Sequence, residues 1–226
     1  MMLVMTGLDY YLVYPSGAAR TRPPEGMLVE ELVLDGDWSA VRLESAGWSP
    51  KDGRWWCSAA FSRGLRVDPH LRRRVVGVDR MVASGAYERL GGGSLPAETT
   101  LRGFFSDGVP LPTAAPLRLG AAPGAAGFHE TRFYRALFAG DLDDGGLARL
   151  RDVWGTVGAL AGARRRVGRD AYDWELRRLA AASAWCVDLT AHLATPRADG
   201  IGPVLRDLSS AVRALGLIPV TVERFS

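Results

Sequence analysis

The sequence predicts an α+β fold: a mainly antiparallel N-terminal sheet with one long helix, then a helical C-terminal part whose last strand returns to a sheet. Three observations predict this class. Strand-like runs cluster early in the chain, helical spacing of apolar residues dominates later, and Gly, Pro and Asp separate the runs. A doubly wound fold is disfavoured because strands and helices do not alternate along the chain.

The N-terminal sheet is predicted from four runs rich in apolar and β-branched residues. These runs are LVMTGLDYYLVY, MLVEELVLDG, WSAVRLES and RWWCSAAF. The pair Asp52-Gly53 suits the positive dihedral angles of a tight turn, so the last two runs should form a hairpin. Because the runs follow one another at short intervals, we expect an antiparallel meander.

The long N-terminal helix is predicted to begin at Asp68-Pro69, with the Asp as N-cap and the Pro in the first helical position. It should end at Leu90, since Gly91 can adopt the left-handed conformation of a helix C-cap. Its apolar residues at helical spacing are Leu71, Val75, Val78 and Val82.

The C-terminal half is predicted to hold three helices between two strands. TRFYRALFAG alternates like a strand, and Asp143 and Asp144 can cap a following helix. A second helix is predicted from about residue 172 to 193, and a third from Gly202-Pro203 to Gly216. LIPVTVERF should be a strand that joins the N-terminal sheet and ties the two halves together.

The composition of residues 106–127 predicts how the chain is divided. The segment is rich in Ala, Gly and Pro, and a long connection of this kind commonly separates two lobes. We therefore predict a strand-rich α+β lobe over 1–119, a linker over 120–127 and a mainly helical lobe over 128–226. Packing of both lobes as one domain is the alternative.

Composition also restricts the function. The formal charge is +3 in 226 residues, which gives weak overall attraction to polyanions. All but one of the 28 basic residues are Arg, as in proteins from GC-rich bacterial genomes, so their number does not itself indicate phosphate binding. Asn and Gln are absent, which argues against reading adenine in the major groove of DNA.

The expected location is the cytoplasm. Two cysteines are too few for a disulfide framework, and MMLVMTGLDYYLVYPSG lacks the basic start and long apolar segment of a signal peptide. No run of about 18 apolar residues predicts a transmembrane helix, so no membrane association is expected.

Candidate binding residues are the paired tryptophans Trp55 and Trp56 and two arginine triplets. Neighbouring residues on a strand point to opposite faces, so only one of the two rings can enter a given core, and the other must meet a second packing layer, a protein partner or a ligand. Arginine suits carboxylate and phosphate groups, although such runs are also common on solvated faces and helix ends. The triplets are Arg72, Arg73 and Arg74, and Arg164, Arg165 and Arg166, the second placed at the C-terminal end of a helix.

Candidate catalytic residues are few. Asp188 and His192 stand four apart, which places them on one face of the predicted helix, and Cys57 could be activated by a nearby arginine. No zinc-ligand spacing, dinucleotide fingerprint, P-loop or nucleophile elbow is present in the sequence. We therefore expect no metal and no cofactor.

The favoured function is a non-catalytic cytosolic binding or accessory protein that contacts a protein partner through an aromatic and arginine surface. Interfaces are enriched in Trp, Tyr and Arg at their anchor positions. One alternative is an arginine-based binder of phosphate groups in RNA, DNA or a phosphorylated ligand. Another is an enzyme without a local motif, so whether the chain is an enzyme stays open at this point.

Overall fold

The computed structural model describes residues 7–15, 22–111, 125–155, 161–179 and 183–225. These residues divide into two compact units. The described residues of the N-terminal unit fall within Leu3–Leu34 and Val41–Leu111, and those of the C-terminal unit within Asp35–Ala40 and Pro112–Ser226. Most of the predicted linker, residues 120–124, lies outside the described residues.

The N-terminal unit contains a sheet of six strands and four helices in its described part. The strands are β1 Asp9–Val13, β2 Gly26–Leu34, β3 Ala40–Trp48, β4 Trp55–Cys57, β5 Val75–Val78 and β6 Val109–Pro110. The helices are α1 Ala59–Val67, α2 Pro69–Arg72, α3 Arg80–Arg89 and α4 Glu98–Arg102. The strand order β4-β3-β2-β1-β5, with β6 beside β3, confirms the predicted meander of the first four strands.

Helices pack on both faces of this sheet, because alternate residues of its strands point to opposite sides. Met27 and Val29 of β2 belong to an apolar cluster with Ala83 and Tyr87 of α3. On the other face, Glu30 binds α1.

The contact of Glu30 with α1 is a buried ion pair. The guanidinium of Arg66 donates two hydrogen bonds to the Glu30 carboxylate, at 3.0 and 2.9 Å, and Ser62 Oγ donates to the same group. Burial alone would lower the pKa of Arg66, but the charge of Glu30 and the hydrogen bonds raise it above its usual value. α1 is therefore held over β2 by a buried charge pair.

The C-terminal unit contains a sheet of five strands, with two helices in its described part. The elements are β7 Glu130–Ala139, α5 Asp144–Trp154, β8 Gly162–Val167, β9 Asp170–Leu179, β10 Ala184–Leu193, α6 Ile201–Arg213 and β11 Ile218–Arg224. The strand order is β11-β7-β10-β9-β8, and every strand pair with a defined register in either sheet is antiparallel. None of the helices in the described ranges is long and apolar enough to cross a bilayer.

The predicted fold class is wrong in its balance of helix and strand. Two antiparallel sheets with eleven strands and six short helices make up the described structure, at 39% strand and 27% helix. The C-terminal part is therefore built on a sheet, and its longest helix, α6, has 13 residues.

The long N-terminal helix was also predicted wrongly. Asp68 does cap a helix, accepting a hydrogen bond from His70 N at 2.7 Å, but that helix is α2, which ends at Arg72. The β-branched run Val75–Val78 then pairs with β1 as β5. Asp79 caps a separate helix, α3, by accepting from Val82 N at 2.8 Å.

The helix predicted over 172–193 is a pair of antiparallel strands, β9 and β10. Tyr172 and Leu176, whose spacing indicated a helix, are four apart, and residues four apart share a face in a strand as well as in a helix. The spacing therefore could not separate the two structures. The sequence of β10 does alternate with the two-residue period of a strand: Trp185, Val187 and Leu189 lie on one face, and Cys186, Asp188 and Thr190 lie on the other.

Strand β7 and helices α5 and α6 agree with the sequence prediction, whereas the strand β8 lies where we expected the end of a helix. Asp143 caps α5 by accepting from Gly146 N at 2.6 Å, and α6 begins and ends close to its predicted bounds. The last strand, β11, pairs with β7 inside the C-terminal unit, whereas we expected it to join the N-terminal sheet.

Candidate functional site

The side chains of the two adjacent tryptophans lie on opposite faces of the N-terminal sheet. Across the β3–β4 hairpin, Trp55 is paired with Trp48 and Trp56 with Gly47. The Trp55 ring stacks on Tyr87 of α3, with ring centroids 5.8 Å apart, and so belongs to the apolar cluster on that side. Trp56 points to the α1 side and leaves 38% of its surface exposed.

Trp56 forms one wall of a pocket of about 390 Å³, which we call the Trp56 pocket. Val13 and Leu28 of the sheet and Phe61 of α1 supply further apolar lining. A Cβ atom at Gly47 would lie 2.8 Å from the Trp56 ring, so only glycine lets the ring lie flat on β3.

Arg74, the last member of the first arginine triplet, also lines this pocket. Its Nη2 lies 2.5 Å from Glu25 Oε1, and its Nε donates to the carbonyl of Tyr14 at 3.1 Å. Its guanidinium carbon lies 5.9 Å from the centre of the Phe61 ring, within range of a cation–π contact. The arginine is thus fixed against an aromatic wall of the pocket.

Ser58, the N-cap residue of α1, also lines this pocket. Its side chain accepts no capping hydrogen bond, and its Oγ is buried without a partner among the described residues. No acidic residue stands in the first turn of the helix. Lys51, on the turn between β3 and β4, is exposed at the pocket mouth.

The first arginine triplet does not act as one cluster. Arg72 Nη1 donates to the carbonyls of Leu65 and Arg66, at 3.2 Å each, which satisfies acceptors at the C-terminal end of α1. Arg73 Nη2 lies 2.6 Å from His70 Nδ1. Of the three arginines, Arg74 alone lines the Trp56 pocket.

The second triplet lies on the edge strand β8 and not at a helix end, which corrects its predicted placement. Arg164 lies 3.3 Å from Asp173, and Arg165 lies 3.3 Å from Asp207, so two of the three charges are balanced. Both arginines line a second pocket, of about 300 Å³, with Trp154 and Trp174. Because Arg164 and Arg165 are paired with different carboxylates, neither is left uncompensated for binding an anion in this pocket.

Asp188 and His192 stand on strand β10, not on a helix, and each has other partners. Asp188 binds Arg135, at 2.6 and 3.0 Å, and also Arg177. Burial raises the pKa of Asp188, but the hydrogen bonds and charges of these arginines outweigh it and lower the pKa below its usual value.

His192 bridges two polar side chains of the C-terminal sheet. Its Nδ1 lies 3.2 Å from Thr131 Oγ1, and its Nε2 lies 3.0 Å from Asp173 Oδ2. Thr131 is 4% exposed, and neither of the two pockets is lined by any of these three residues. The arrangement links strands β7, β9 and β10.

Cys57 is half-buried, and its thiol donates to the carbonyl of Ser106 at 3.1 Å. Cys186 is buried, and burial raises the pKa of its thiol. Within the described ranges, no group of three His, Cys, Asp or Glu residues is arranged to hold a metal ion.

The sequence reasoning missed Lys51, Ser58 and Phe61. We assigned SAAF to the end of a strand, whereas Ser58 begins the helix α1. A serine directly before the first apolar residues of a helix is a helix-start signal, and it could have identified this helix. Searches of family models, curated proteins and solved structures for similarity to the chain found no match.

Proposed function

We propose that the chain is a binding protein without catalysis of its own, which takes an apolar or aromatic side chain of a protein partner into the Trp56 pocket. The observation that carries this proposal is the position of Trp56 and Arg74, both predicted to bind, on the walls of one pocket. Tryptophan and arginine are the residues most enriched among the energetic anchors of protein interfaces.

The pocket's size and lining support this reading. Its volume lies in the range of about 300 to 1,000 Å³ typical of ligand pockets, near the lower end, where one large side chain is the natural occupant. Two of its lining side chains are held by neighbouring groups, since Trp56 lies on Gly47 and Arg74 contacts Glu25 and the Tyr14 carbonyl. A preformed pocket loses little conformational entropy on binding. We place the partner in the cytoplasm, where the free thiols Cys57 and Cys186 would stay reduced.

The phosphate-binding alternative has less support. The arginines of each triplet have different partners and do not converge, whereas phosphate recognition favours several donors aimed at one group. Several carboxylates also lie beside these arginines and would repel a polyanion. We therefore keep this alternative as an outcome of the test.

The test is selection of peptides from a random displayed library on the purified protein, followed by affinity measurement on labelled synthetic peptides. We expect enriched peptides to share an aromatic or large apolar residue. Trp56→Ala should weaken their binding by about thirtyfold or more, the effect of losing an interface anchor. Phe133→Ala is the matched control, because Phe133 is 40% exposed and lines neither pocket.

Salt dependence separates the two functions. Affinity for a peptide held by apolar walls should change little between 50 and 200 mM salt, while binding through several phosphate contacts falls steeply. Labelled single-stranded RNA and duplex DNA are measured in the same series. Peptides that bind Trp56→Ala as well as the unaltered protein, or nucleic acid binding with a steep salt slope, would overturn the proposal.

A further inference from the structure

We infer that β8, at the edge of the C-terminal sheet, binds an extended segment of a partner protein as a sixth, antiparallel strand. The segment carries an acidic residue opposite Arg166 and apolar residues on the helix side of the sheet. This surface shares no residue with the Trp56 pocket, so it is a second binding surface beyond the proposed function. Three features of β8 carry this inference: its regularity, the direction of its backbone groups and its charge.

The edge of β8 lacks the usual protection against pairing with another strand. β8 has six residues and pairs with β9 one to one, without a bulge or a proline. The opposite edge strand, β11, contains Pro219 and a bulge between Pro219 and Thr221. In the N-terminal sheet, the edge strands β4 and β5 have only three and four residues. Short strands, prolines and bulges are the devices that block exposed edges, so among the described strands β8 is the edge most open to an added strand.

The backbone of β8 shows which atoms an added strand would use. Directly before β8, the carbonyl of Ala161 accepts a hydrogen bond from Leu176 N at 2.7 Å. Alternate residues of an antiparallel ladder bond to the neighbouring strand, so Arg165, four residues further on, also faces β9. The N–H and C=O groups of Arg164 and Arg166 therefore point away from the sheet, where the described residues provide no further strand. Two donors and two acceptors at this spacing match the backbone of an antiparallel strand.

Positive charge is in excess at the turn end of β8. Arg164 and Arg165 each have an aspartate at 3.3 Å. Arg166 and, in the following turn, Arg169 are exposed and have no ion-pair partner in the ranges that the structure describes. Glu175 lies at the other end of β8. An acidic residue is therefore favoured opposite Arg166, because opposite charges on facing strands stabilise their pairing.

The carboxylates nearest this end of the strand already have partners. Asp173 lies 3.3 Å from Arg164 and 3.0 Å from His192 Nε2. Asp170 accepts a hydrogen bond from Ala194 N at 2.8 Å. Neither carboxylate is paired with the guanidinium of Arg166, whose charge is left for a partner.

The other face of β8 determines the second feature of the segment. Ala163 and Arg165 line the second pocket, of about 300 Å³, together with Trp154 and Trp174. Val153 lines the same pocket and is 71% exposed. Residues that alternate with the acidic ones in an added strand would lie on this side of the sheet, beside an apolar surface. The ligand class is therefore an extended segment of alternating acidic and apolar residues, bound by backbone hydrogen bonds and selected by its side chains.

A second copy of this chain is disfavoured as the occupant. Pairing of two β8 strands about a two-fold axis would place the arginines of one copy opposite those of the other, and like charges in that arrangement are destabilising. The arginines thus hinder self-association, while the outward backbone groups stay open to a strand of opposite charge.

The first test compares three fluorescein-labelled peptide amides. One is Gly-Glu-Val-Glu-Val-Glu-Gly, and the other two carry Thr or Lys in place of every Glu. We expect the Glu peptide to bind at least about threefold more tightly than the Thr peptide and about tenfold more tightly than the Lys peptide, through its cross-strand charge pairs. Equal binding of all three, or no binding of the Glu peptide, would overturn the inference.

Backbone methylation distinguishes strand addition from attraction of charge alone. In an antiparallel pair, the residues opposite Arg164 and Arg166 direct their N–H groups to β8, and these are the Glu residues of the peptide. N-methylation of the Glu amides should weaken binding about tenfold or more, because it removes the hydrogen bonds to β8. N-methylation of the Val amides, which face solvent, should change binding by less than about threefold. Similar losses from both sets would show that the peptide is not a paired strand.

Variants of Arg166 separate its charge from its backbone N–H. Arg166→Ala should weaken the Glu peptide about threefold and leave the Thr peptide unchanged. Arg166→Pro also removes the outward N–H, without removing a hydrogen bond to β9, and should weaken both peptides about tenfold or more. Arg178→Ala is the matched control, an exposed arginine of β9, and should change neither. Tight binding of the Glu peptide by Arg166→Pro would refute the strand site, and if that variant unfolds, the methylated peptides decide.

Two further measurements separate this surface from the proposed function and from self-association. Trp56→Ala should bind the Glu peptide with unchanged affinity, and a loss there would assign the peptide to the Trp56 pocket and overturn the β8 site. Sedimentation of the unaltered protein should show no dimer that depends on β8. A dimer that disappears in Arg166→Pro would identify a second copy as the occupant and overturn the inference.

Discussion

The buried pair of Glu30 and Arg66 gives the sharpest stability prediction. Their side chains are 2% and 9% exposed, and the pair joins β2 to the helix that forms one side of the Trp56 pocket. Removing one partner leaves the other charge buried and uncompensated, which costs about 3–5 kcal/mol. Glu30→Leu also removes the acceptor of Ser62, so we expect the upper end of that range.

The magnitude is tested by a double-mutant cycle. Glu30→Leu and Arg66→Met are made singly and together, and the free energy of unfolding is measured from urea titrations followed by tryptophan fluorescence. The double variant should lose much less stability than the sum of the single losses, because two apolar side chains can replace a buried ion pair at little cost.

A loss of several kcal/mol is a large part of the stability of an ordinary domain, so a single variant can fail to fold. The milder Glu30→Gln, which keeps an acceptor for Ser62, should then give an intermediate loss of about 2–3 kcal/mol. Single losses below about 1 kcal/mol, or a double loss equal to the sum, would refute the reasoning.

Three further predictions concern the pocket and the second sheet. Ser58→Ala should raise the free energy of unfolding by about 1 kcal/mol, because it removes a buried hydroxyl that has no partner and makes no capping hydrogen bond. If urea titration instead shows a loss of that size, the hydroxyl does cap α1. Gly47→Ala should displace the Trp56 ring and weaken peptide binding severalfold, because the added Cβ would lie 2.8 Å from that ring. Gly145→Ala is the control and should leave peptide binding unchanged, since its Cβ would meet only ordinary contacts. Unchanged affinity in Gly47→Ala would count against the ring as a pocket wall. Asp188→Asn should cost about 1 kcal/mol at pH 7. The folded-state pKa of Asp188 lies below the ordinary value of 3.8, so this contribution is present above that value and disappears as the pH falls through the lowered pKa. The free energies of unfolding of the two proteins should converge once the pH is below this lowered pKa, and a difference that stays constant from pH 7 to the acid limit of folding would contradict the ion-pair assignment.

The sequence was informative wherever a single residue determines the local backbone. Gly53 has a φ of +62° in the predicted β3–β4 turn, and Gly216 has a φ of +92° after α6. Asp68 and Asp143 cap helices as their side-chain chemistry requires. In each of these cases the signal is short and does not depend on distant contacts.

The sequence was misleading where its periodicity is ambiguous. Residues four apart share a face in both helix and strand, so 172–193 matched a helix although it forms β9 and β10. That ambiguity also placed Asp188 and His192 on a helix. Their actual neighbours, Arg135 and Thr131, come from β7, at sequence distances of 53 and 61 residues.

The sequence by itself determined that Trp55 and Trp56 point to opposite faces, because side-chain direction alternates along any strand. It also indicated aromatic and arginine residues as candidate binding residues, and two of them, Trp56 and Arg74, line one pocket. The tertiary structure alone decided which ring faces the pocket. It also brought Arg74 and Ser58 to Trp56, since such contacts depend on strand pairing and on packing of α1 over the sheet, and no local pattern encodes either.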